Sequence, residues 1–312
     1  MKGIICHFTK VDKTTLASAR IANWLALRYD FDIIDRPSPE KVQDYDLAIC
    51  VSSPSGFADP ELREQVGEIC ARAKHYVFAQ NDYMTSQAGQ IGKHFKLLGK
   101  DRTKRHVWAN MPHVCKNPWD TYINWNMLTW DPQPHKEPTV DGLFYYGACR
   151  KDREVYFKKY FGGETELPYY GLISTSKRGM NKFREVAPYA NYIQPFNECK
   201  ELGKYKMSLY IEDTRIHKYY NSPANRFYEC LSNGVAQIFD VSCIGTFEKA
   251  GIDISPYVVD SKEHVLGILK HWDKIRNEQY DLWASNYVEQ LEIAVDKAIE
   301  EIVKCKQYTL EM

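Results

Sequence analysis

An excess of charge of one sign is what this 312-residue sequence most plainly lacks. Its 41 lysines and arginines meet 41 aspartates and glutamates, so no global field draws it to nucleic acid, and any affinity for a polyanion must come from a local patch. No apolar run approaches the length of a membrane span, and the first residues show neither the basic nor the apolar region of a secretory leader. A soluble, cytoplasmic protein without a membrane partner is the expectation. None of the nine cysteines, at positions 6, 50, 70, 115, 149, 199, 230, 243 and 305, forms a C-x-x-C or other metal-like pair. Their number is odd and several lie in apolar strand-like runs, which predicts buried free thiols rather than disulfides or a metal cage. The sequence also has no internal repeat, no low-complexity tract and no G-x-G-x-x-G fingerprint. These absences exclude a disulfide scaffold, a solenoid and a membrane span.

What is present is globular. Hydrophobic residues make up 44% and charged residues 26%, which is the balance of a chain that buries a core. The length suits one large domain or two of ordinary size. Aromatics reach 13%, with 22 tyrosines, enough for stacking or amphipathic surfaces as well as core.

Apolar runs Gly3–Phe8, Phe31–Ile34, Leu47–Val51 and His75–Ala79 alternate with helical patterns at about Thr15–Tyr29 and Pro60–Lys74. Strand and helix in alternation predict a parallel sheet covered on both faces. In such sheets ligands bind beyond the carboxyl ends of the strands. The segments Thr9–Thr14, Ser52–Gly56 and Gln80–Asp82 therefore point at a cleft. Asp82 follows a buried strand directly, where desolvation would raise its pKa and make it a usable general base; Asn-Asp is also ordinary turn chemistry. The most basic run, Gly92–His106, holds Lys93, Lys96, Lys100, Arg102, Lys104 and Arg105 against one acidic residue. Such a patch can neutralise phosphates without reading sequence, or can be a solvated loop. Trp108, Trp119, Tyr122, Trp125 and Trp130 follow, as base-stacking groups or as packing beneath a long loop.

Asp131–Pro138 carries three prolines and no apolar residue and reads as a linker. Beyond it the alternation restarts with Leu143–Tyr146, the turn Gly147–Arg153 and a helix Glu154–Phe161. A glycine at a strand end followed by arginines at a helix start suits a diphosphate, which backbone N–H groups, the helix dipole and forked guanidinium donors all favour. Arg150 and Arg153 are the natural pair. Short strands follow at Tyr169–Ile173, Tyr192–Ile193 and Met207–Ile211, with Asp213 the candidate to face the same cleft. Ser222 and Pro223 then signal a helix start, and Gly234 stops that helix before the strand Val235–Phe239. Arg226 and Glu229 fall one turn apart on it, as a surface ion pair or as a grip on a diphosphate and its ribose hydroxyls. Tyr257–Val259 is a last strand, and helices are predicted over Ser261–Trp272 and about Glu278–Lys306.

Four segments, in order, resemble the bacteriophage DNA β-glucosyltransferase family of GT-B glycosyltransferases. Tyr145–Glu154 is similar to its tyrosine–glycine–arginine turn, one residue shorter. Leu209–Asp213 through Asn225–Leu231 looks like its donor strand and arginine–(x)–(x)–glutamate helix. Tyr45–Ser53 resembles the strand whose serine pair lines the acceptor cleft, and His75–Asp82 the strand leading to its catalytic aspartate. The resemblance implies two Rossmann-like αβα domains facing a central cleft. Residues 1–135 would hold the acceptor and DNA, with a C-terminal helix at about 290–312 packing back on them, and residues 139–289 the nucleotide sugar. It implies an inverting enzyme moving a sugar, glucose by default, from a UDP-sugar onto the hydroxymethyl group of a modified pyrimidine in double-stranded phage DNA. Asp82 would be the base; Gly147, Arg150, Arg153 and Arg226 would meet the diphosphate, Glu229 the ribose, Ser52 and Ser53 the acceptor, and the basic run the DNA backbone. Family members also use a divalent ion, Mg or Mn, although no metal cage is identified here, and a monomer in the infected host's cytoplasm is implied. The family's acidic residue near the first helix has no counterpart in Thr14–Ala19. Competing readings are a carbohydrate or small-molecule acceptor, and a DNA- or nucleotide-binding module without chemistry.

Overall fold

The computed structural model describes residues 1–8, 17–52, 60–80, 104–110, 115, 120–128, 137–147, 150–163, 169–173, 183–193, 198–212, 223–284 and 287–308. The chain divides into two compact units: Met1–Trp130 with Tyr287–Met312, and Asp131–Asn286. In the first, β1 (Gly3–His7), α1 (Ala17–Tyr29), β2 (Asp32–Asp35), β3 (Leu47–Ser52), α2 (Pro60–Arg72), β4 (His75–Gln80), β5 (Arg105–Ala109) and β6 (Thr121–Tyr122) alternate along the chain. The strands form one parallel sheet in the order β2-β1-β3-β4-β5-β6. Central strands of such a sheet are covered on both faces, which is why β1 is an unbroken run of buried residues instead of an alternating one.

The second unit holds β7 (Val140–Gly147), α3 (Glu154–Phe161), β8 (Tyr169–Ile173), β9 (Asn191–Ile193), β10 (Tyr205–Tyr210), α4 (Asn225–Ser232), β11 (Ala236–Asp240), α5 (Ile244–Lys249), β12 (Val258–Val259), α6 (Lys262–Leu269) and α7 (Trp272–Gln279). Its sheet is also parallel, in the order β12-β11-β10-β7-β8-β9. Both sheets are of the expected α/β class.

Between α7 and the final helix, α8 (Tyr287–Tyr308), the chain makes a wider helical turn at Tyr280–Ala284. The predicted helix from about Glu278 is thus two elements, because the chain passes from one unit to the other after Asn286. The predicted helix Ser261–Trp272 is likewise α6 followed by α7, with Ser261 Oγ capping α6 by accepting from the His264 amide at 3.2 Å.

α8 belongs to the first unit through its apolar stripe. Leu291, Val295, Ala298 and Ile302 recur at helical spacing and pack among Ile5, Leu25, Val51, Trp108 and Trp125. The Tyr29 hydroxyl of α1 donates to Asp296 at 2.7 Å, and Arg28 lies 3.6 Å from Glu292, which fixes the register of the two helices. Trp108 and Trp125 are therefore core: both are buried, and Trp125 Nε1 donates to the Trp108 carbonyl at 3.3 Å. That overturns the base-stacking alternative for these two residues, since a ring enclosed by apolar neighbours cannot receive a base.

Two polar fasteners close the second unit. Gln237 and Gln279 exchange main-chain and side-chain hydrogen bonds at 2.8 and 2.7 Å, bolting α7 onto β11 inside the core. At the end of β11, Asp240 accepts from the Tyr160 hydroxyl and, at 3.0 Å, from Lys159, both on α3. Burial by itself would raise the Asp240 pKa; bonds from Ser242, Tyr160 and Lys159 outweigh it and hold the carboxyl below its usual value.

Leu291→Ala should destabilise the protein by about 2–5 kcal/mol in urea denaturation, whereas Ile293→Ala, exposed on the same helix, should change it by less than about 0.5 kcal/mol. Because the folded pKa of Asp240 lies below the unfolded one, its contribution is present near neutral pH and is lost as pH falls through the folded value. Asp240→Asn should therefore lower stability at pH 7 and narrow the gap to the parent below about pH 4, measured as thermal midpoints across pH.

Candidate functional site

In the second sheet, β7 and β10 are neighbours from which the chain departs in opposite directions, toward β8 and toward β11. Loops leaving two such strands diverge, so a crevice opens beyond their carboxyl ends. β7 ends there in Gly147, and β10 leads there into Ile211 and Glu212. α4, after β10, brings Arg226 to the same place.

Gly147 adopts φ +147°, a backbone region that disfavours side chains, and a Cβ there would lie 2.8 Å from both Arg226 Nη1 and the Tyr145 hydroxyl. The glycine is what lets these groups approach the strand end. Arg153, in the short turn that opens α3, is buried; its Nη1 donates to the Tyr145 hydroxyl and its Nη2 lies 3.4 Å from Glu212 Oε2. Arg226 Nη2 contacts Glu212 Oε1 and donates to the Ile211 carbonyl at 3.0 Å. Its guanidinium also stands 5.0 Å from the Tyr210 ring centre and 5.9 Å from that of Tyr145.

Glu212 is the hub, with no solvent exposure. Besides both arginines it accepts from the Tyr210 hydroxyl, which in turn accepts from the Ala224 amide at 2.8 Å. That last bond explains where α4 begins. The predicted start at Ser222 and Pro223 shifts to Asn225 with Ala224 as the cap, because a tyrosine from β10, not a local hydroxyl, takes up the orphan N–H. The phenol serves reliably as a donor, since burial and the neighbouring carboxylate push the Tyr210 pKa well above its usual value. For Arg226, burial works against the charge, yet Glu212, Tyr145 and Tyr210 together more than reverse it. Arg226 Nε is buried and has no hydrogen-bond partner among the described residues. Two guanidinium groups thus meet at Glu212, at a strand end where a ligand can enter.

Of the residues singled out from sequence, Gly147, Arg153 and Arg226 come together here. Glu229 is buried on α4, three residues after Arg226, and Arg150 is exposed at the head of the turn that carries Arg153. Ser52 ends β3, in register with Gln80. Lys104 and Arg105 precede and open β5, at the amino edge of the first sheet, and Arg105 donates to the Lys104 and Ala71 carbonyls at 2.9 and 3.2 Å. Ser53, Asp82, Lys93, Lys96, Lys100, Arg102 and Asp213 lie outside the described residues. Glu212, Tyr145 and Tyr210 were not singled out. The available signal was a carboxylate immediately after an apolar strand, but neighbouring residues on a strand face opposite ways, and sequence alone does not say which of Glu212 and Asp213 turns inward. Among the described residues no three His, Cys, Asp or Glu side chains converge to hold a metal ion, and Glu212 is already shared by two arginines.

Gly147→Ala should cost about 1–3 kcal/mol in chemical denaturation, from the strained φ and the displaced Arg226, a larger loss than glycine-to-alanine changes at open positions such as Gly267.

No protein-family model matches the chain and no curated protein aligns with it. Solved structures do. T4 phage BGT in complex with its UDP-glucose substrate superimposes with a TM-score of 0.65 at 14% identity, covering 96% of this chain and 99% of that one. An alpha-glucosyltransferase in complex with UDP and a 13-mer DNA gives a TM-score of 0.65 at 10% identity over 95% and 100% of the two chains. HepE from Anabaena, in complex with UDP-glucose, gives 0.54 at 6% identity over 100% of both. At these identities the likeness is one of fold, and it extends over the whole chain: this protein has the two-domain α/β architecture of the GT-B glycosyltransferases.

Proposed function

We propose that the protein is an inverting glycosyltransferase that moves a sugar, glucose by default, from a UDP-sugar to the hydroxymethyl group of a modified pyrimidine in double-stranded DNA. The observation that carries this reading is the pair of arginines, buried Arg153 and partly buried Arg226, held on Glu212 beside Gly147 at the strand-order reversal of the second sheet. A diphosphate is the anion that suits them, because forked N–H donors match its oxygens and guanidinium charge meets its negative one. T4 phage BGT binds UDP-glucose, and one alpha-glucosyltransferase has been solved with UDP and DNA containing an HMU base, which favours a DNA acceptor over a carbohydrate one.

In this reading Arg150, Arg153 and Arg226 hold the diphosphate, Glu229 receives the ribose hydroxyls, and Asp213 faces the donor. Asp82 takes the proton from the acceptor hydroxyl as its oxygen attacks the anomeric carbon. The bond from that carbon to the diphosphate oxygen breaks, UDP leaves with the electron pair, and the configuration inverts. The arginines stabilise the charge that develops on the leaving group. The hydroxymethylated base must leave the stack to be reached. Ser52 and Ser53 line its side of the site, and Lys93, Lys96, Lys100 and Arg102 contact phosphates. Lys104 and Arg105, at the opposite edge of the first sheet, extend that contact at most along the DNA backbone. T4 phage BGT has been solved with UDP and Mn2+; the described residues here do not form a protein cage for such an ion.

Incubating hydroxymethylated duplex DNA with the protein and a panel of UDP-sugars, then analysing the nucleosides by mass spectrometry, should show a mass gain of one hexose. Asp82→Asn should slow that transfer by about 100-fold or more; transfer at the parent rate would remove Asp82 as the base. If the parent never releases UDP whichever acceptor is offered, the enzyme reading fails. Binding to duplex DNA should weaken steeply with salt, as phosphate contacts release counterions, whereas salt-independent binding would point to a carbohydrate acceptor.

A further inference from the structure

Glu212 has a place in no step of the reaction above, yet it is the most completely enclosed charge in the site. It has no solvent exposure, and each of its oxygens is engaged: Oε1 by Arg226 and the Tyr210 hydroxyl, Oε2 by Arg153 at 3.4 Å. A buried carboxylate is costly unless it is paired and hydrogen-bonded on all sides, and this one is. The two guanidinium groups repel one another, and each has several rotatable bonds. Tyr145 holds one and the Ile211 carbonyl the other, but Glu212 is the anion that both of them contact. The same carboxylate also fixes the start of α4, the helix of Arg226 and Glu229, because Tyr210 links Glu212 to the Ala224 amide. Arg226 is further restrained by the Ile211 carbonyl, and its buried Nε has no hydrogen-bond partner among the described residues.

We infer that Glu212 is the positioning residue of the diphosphate site, a resident anion that gathers Arg153 and Arg226 into one preformed cradle before the donor binds. The inference rests on the donor-site reading and deepens it. It assigns Glu212 no contact with substrate. It acts through the arginines, by sparing the diphosphate the work of collecting two mutually repelling cations, which is the way a preorganised site gains affinity.

The test separates phosphate recognition from folding. UDP and uridine share the base and ribose and differ in the diphosphate, so titrating both by calorimetry against the parent, Glu212→Gln and Tyr210→Phe isolates the arginine contribution. Glu212→Gln should weaken UDP at least tenfold and leave uridine within about twofold. Tyr210→Phe, which removes one donor to the carboxylate but no charge, should weaken UDP a few-fold with uridine again unchanged, and it supplies the answer if Glu212→Gln does not fold. Equal weakening of UDP and uridine would make Glu212 a structural residue only and overturn the inference. Unchanged or tighter UDP binding would overturn it too, by showing that the carboxylate merely competes with the diphosphate. A parent that binds uridine and UDP equally would remove the donor-site reading itself, and the inference with it.

Discussion

Two guanidinium groups with one fully buried carboxylate between them set the terms for the second half of this molecule. Charges removed from water are stable only when opposite charge and hydrogen bonds surround them, and taking one partner from such a pair typically costs about 3–5 kcal/mol. The surroundings of Glu212 meet that demand in detail. Gly147 leaves room where a Cβ would collide, Tyr145 receives Arg153, and Tyr210 donates to the carboxylate while holding the amide of Ala224, the cap of α4. Guanidinium charge held in a low-dielectric setting favours an anion far more than the same charge would on the surface.

The place of this cluster follows from topology. Every strand in the sheet runs the same way, so all carboxyl ends share one edge, and the order β12-β11-β10-β7-β8-β9 lets the chain diverge only between β7 and β10. Gly147 ends β7, and Glu212 lies two residues beyond the end of β10. The first unit repeats the arrangement between β1 and β3, and there Ser52 ends β3. The crossover helices that make the sheets parallel also bury both faces, which is why the central strands are written in nearly pure apolar runs.

Charge and aromatic runs proved to mean less than their position. Arg105 and His106 close the most basic stretch of the sequence, yet they open β5, where the histidine is buried and the arginine donates to backbone carbonyls. Trp108 and Trp125, from the aromatic stretch beside it, form core with α8. A run of like residues is a statement about composition, while a strand passing through it sends alternate side chains to opposite faces. Neutral overall charge fits this distribution: much of the basic and acidic content is consumed in pairs such as Arg28 with Glu292 and Lys159 with Asp240.

The alternation of apolar runs and helical patterns was sufficient to read the α/β class, most strands to within a residue or two, and the glycine–arginine turn with Arg153 and Arg226, because hydrophobic periodicity and turn chemistry are local. The same local rules misplaced the cap of α4 and merged or divided helices near the C-terminus. There the deciding partners, Tyr210 for the Ala224 amide and the boundary between units after Asn286, come from elsewhere in the chain. Glu212 illustrates the limit. By itself the sequence determined that a carboxylate would follow β10 and that arginines would follow β7 and begin α4. Only the tertiary structure decided that Glu212 turns inward to join them, since that choice depends on strand register and on charges 59 and 14 positions away, brought together by a parallel sheet.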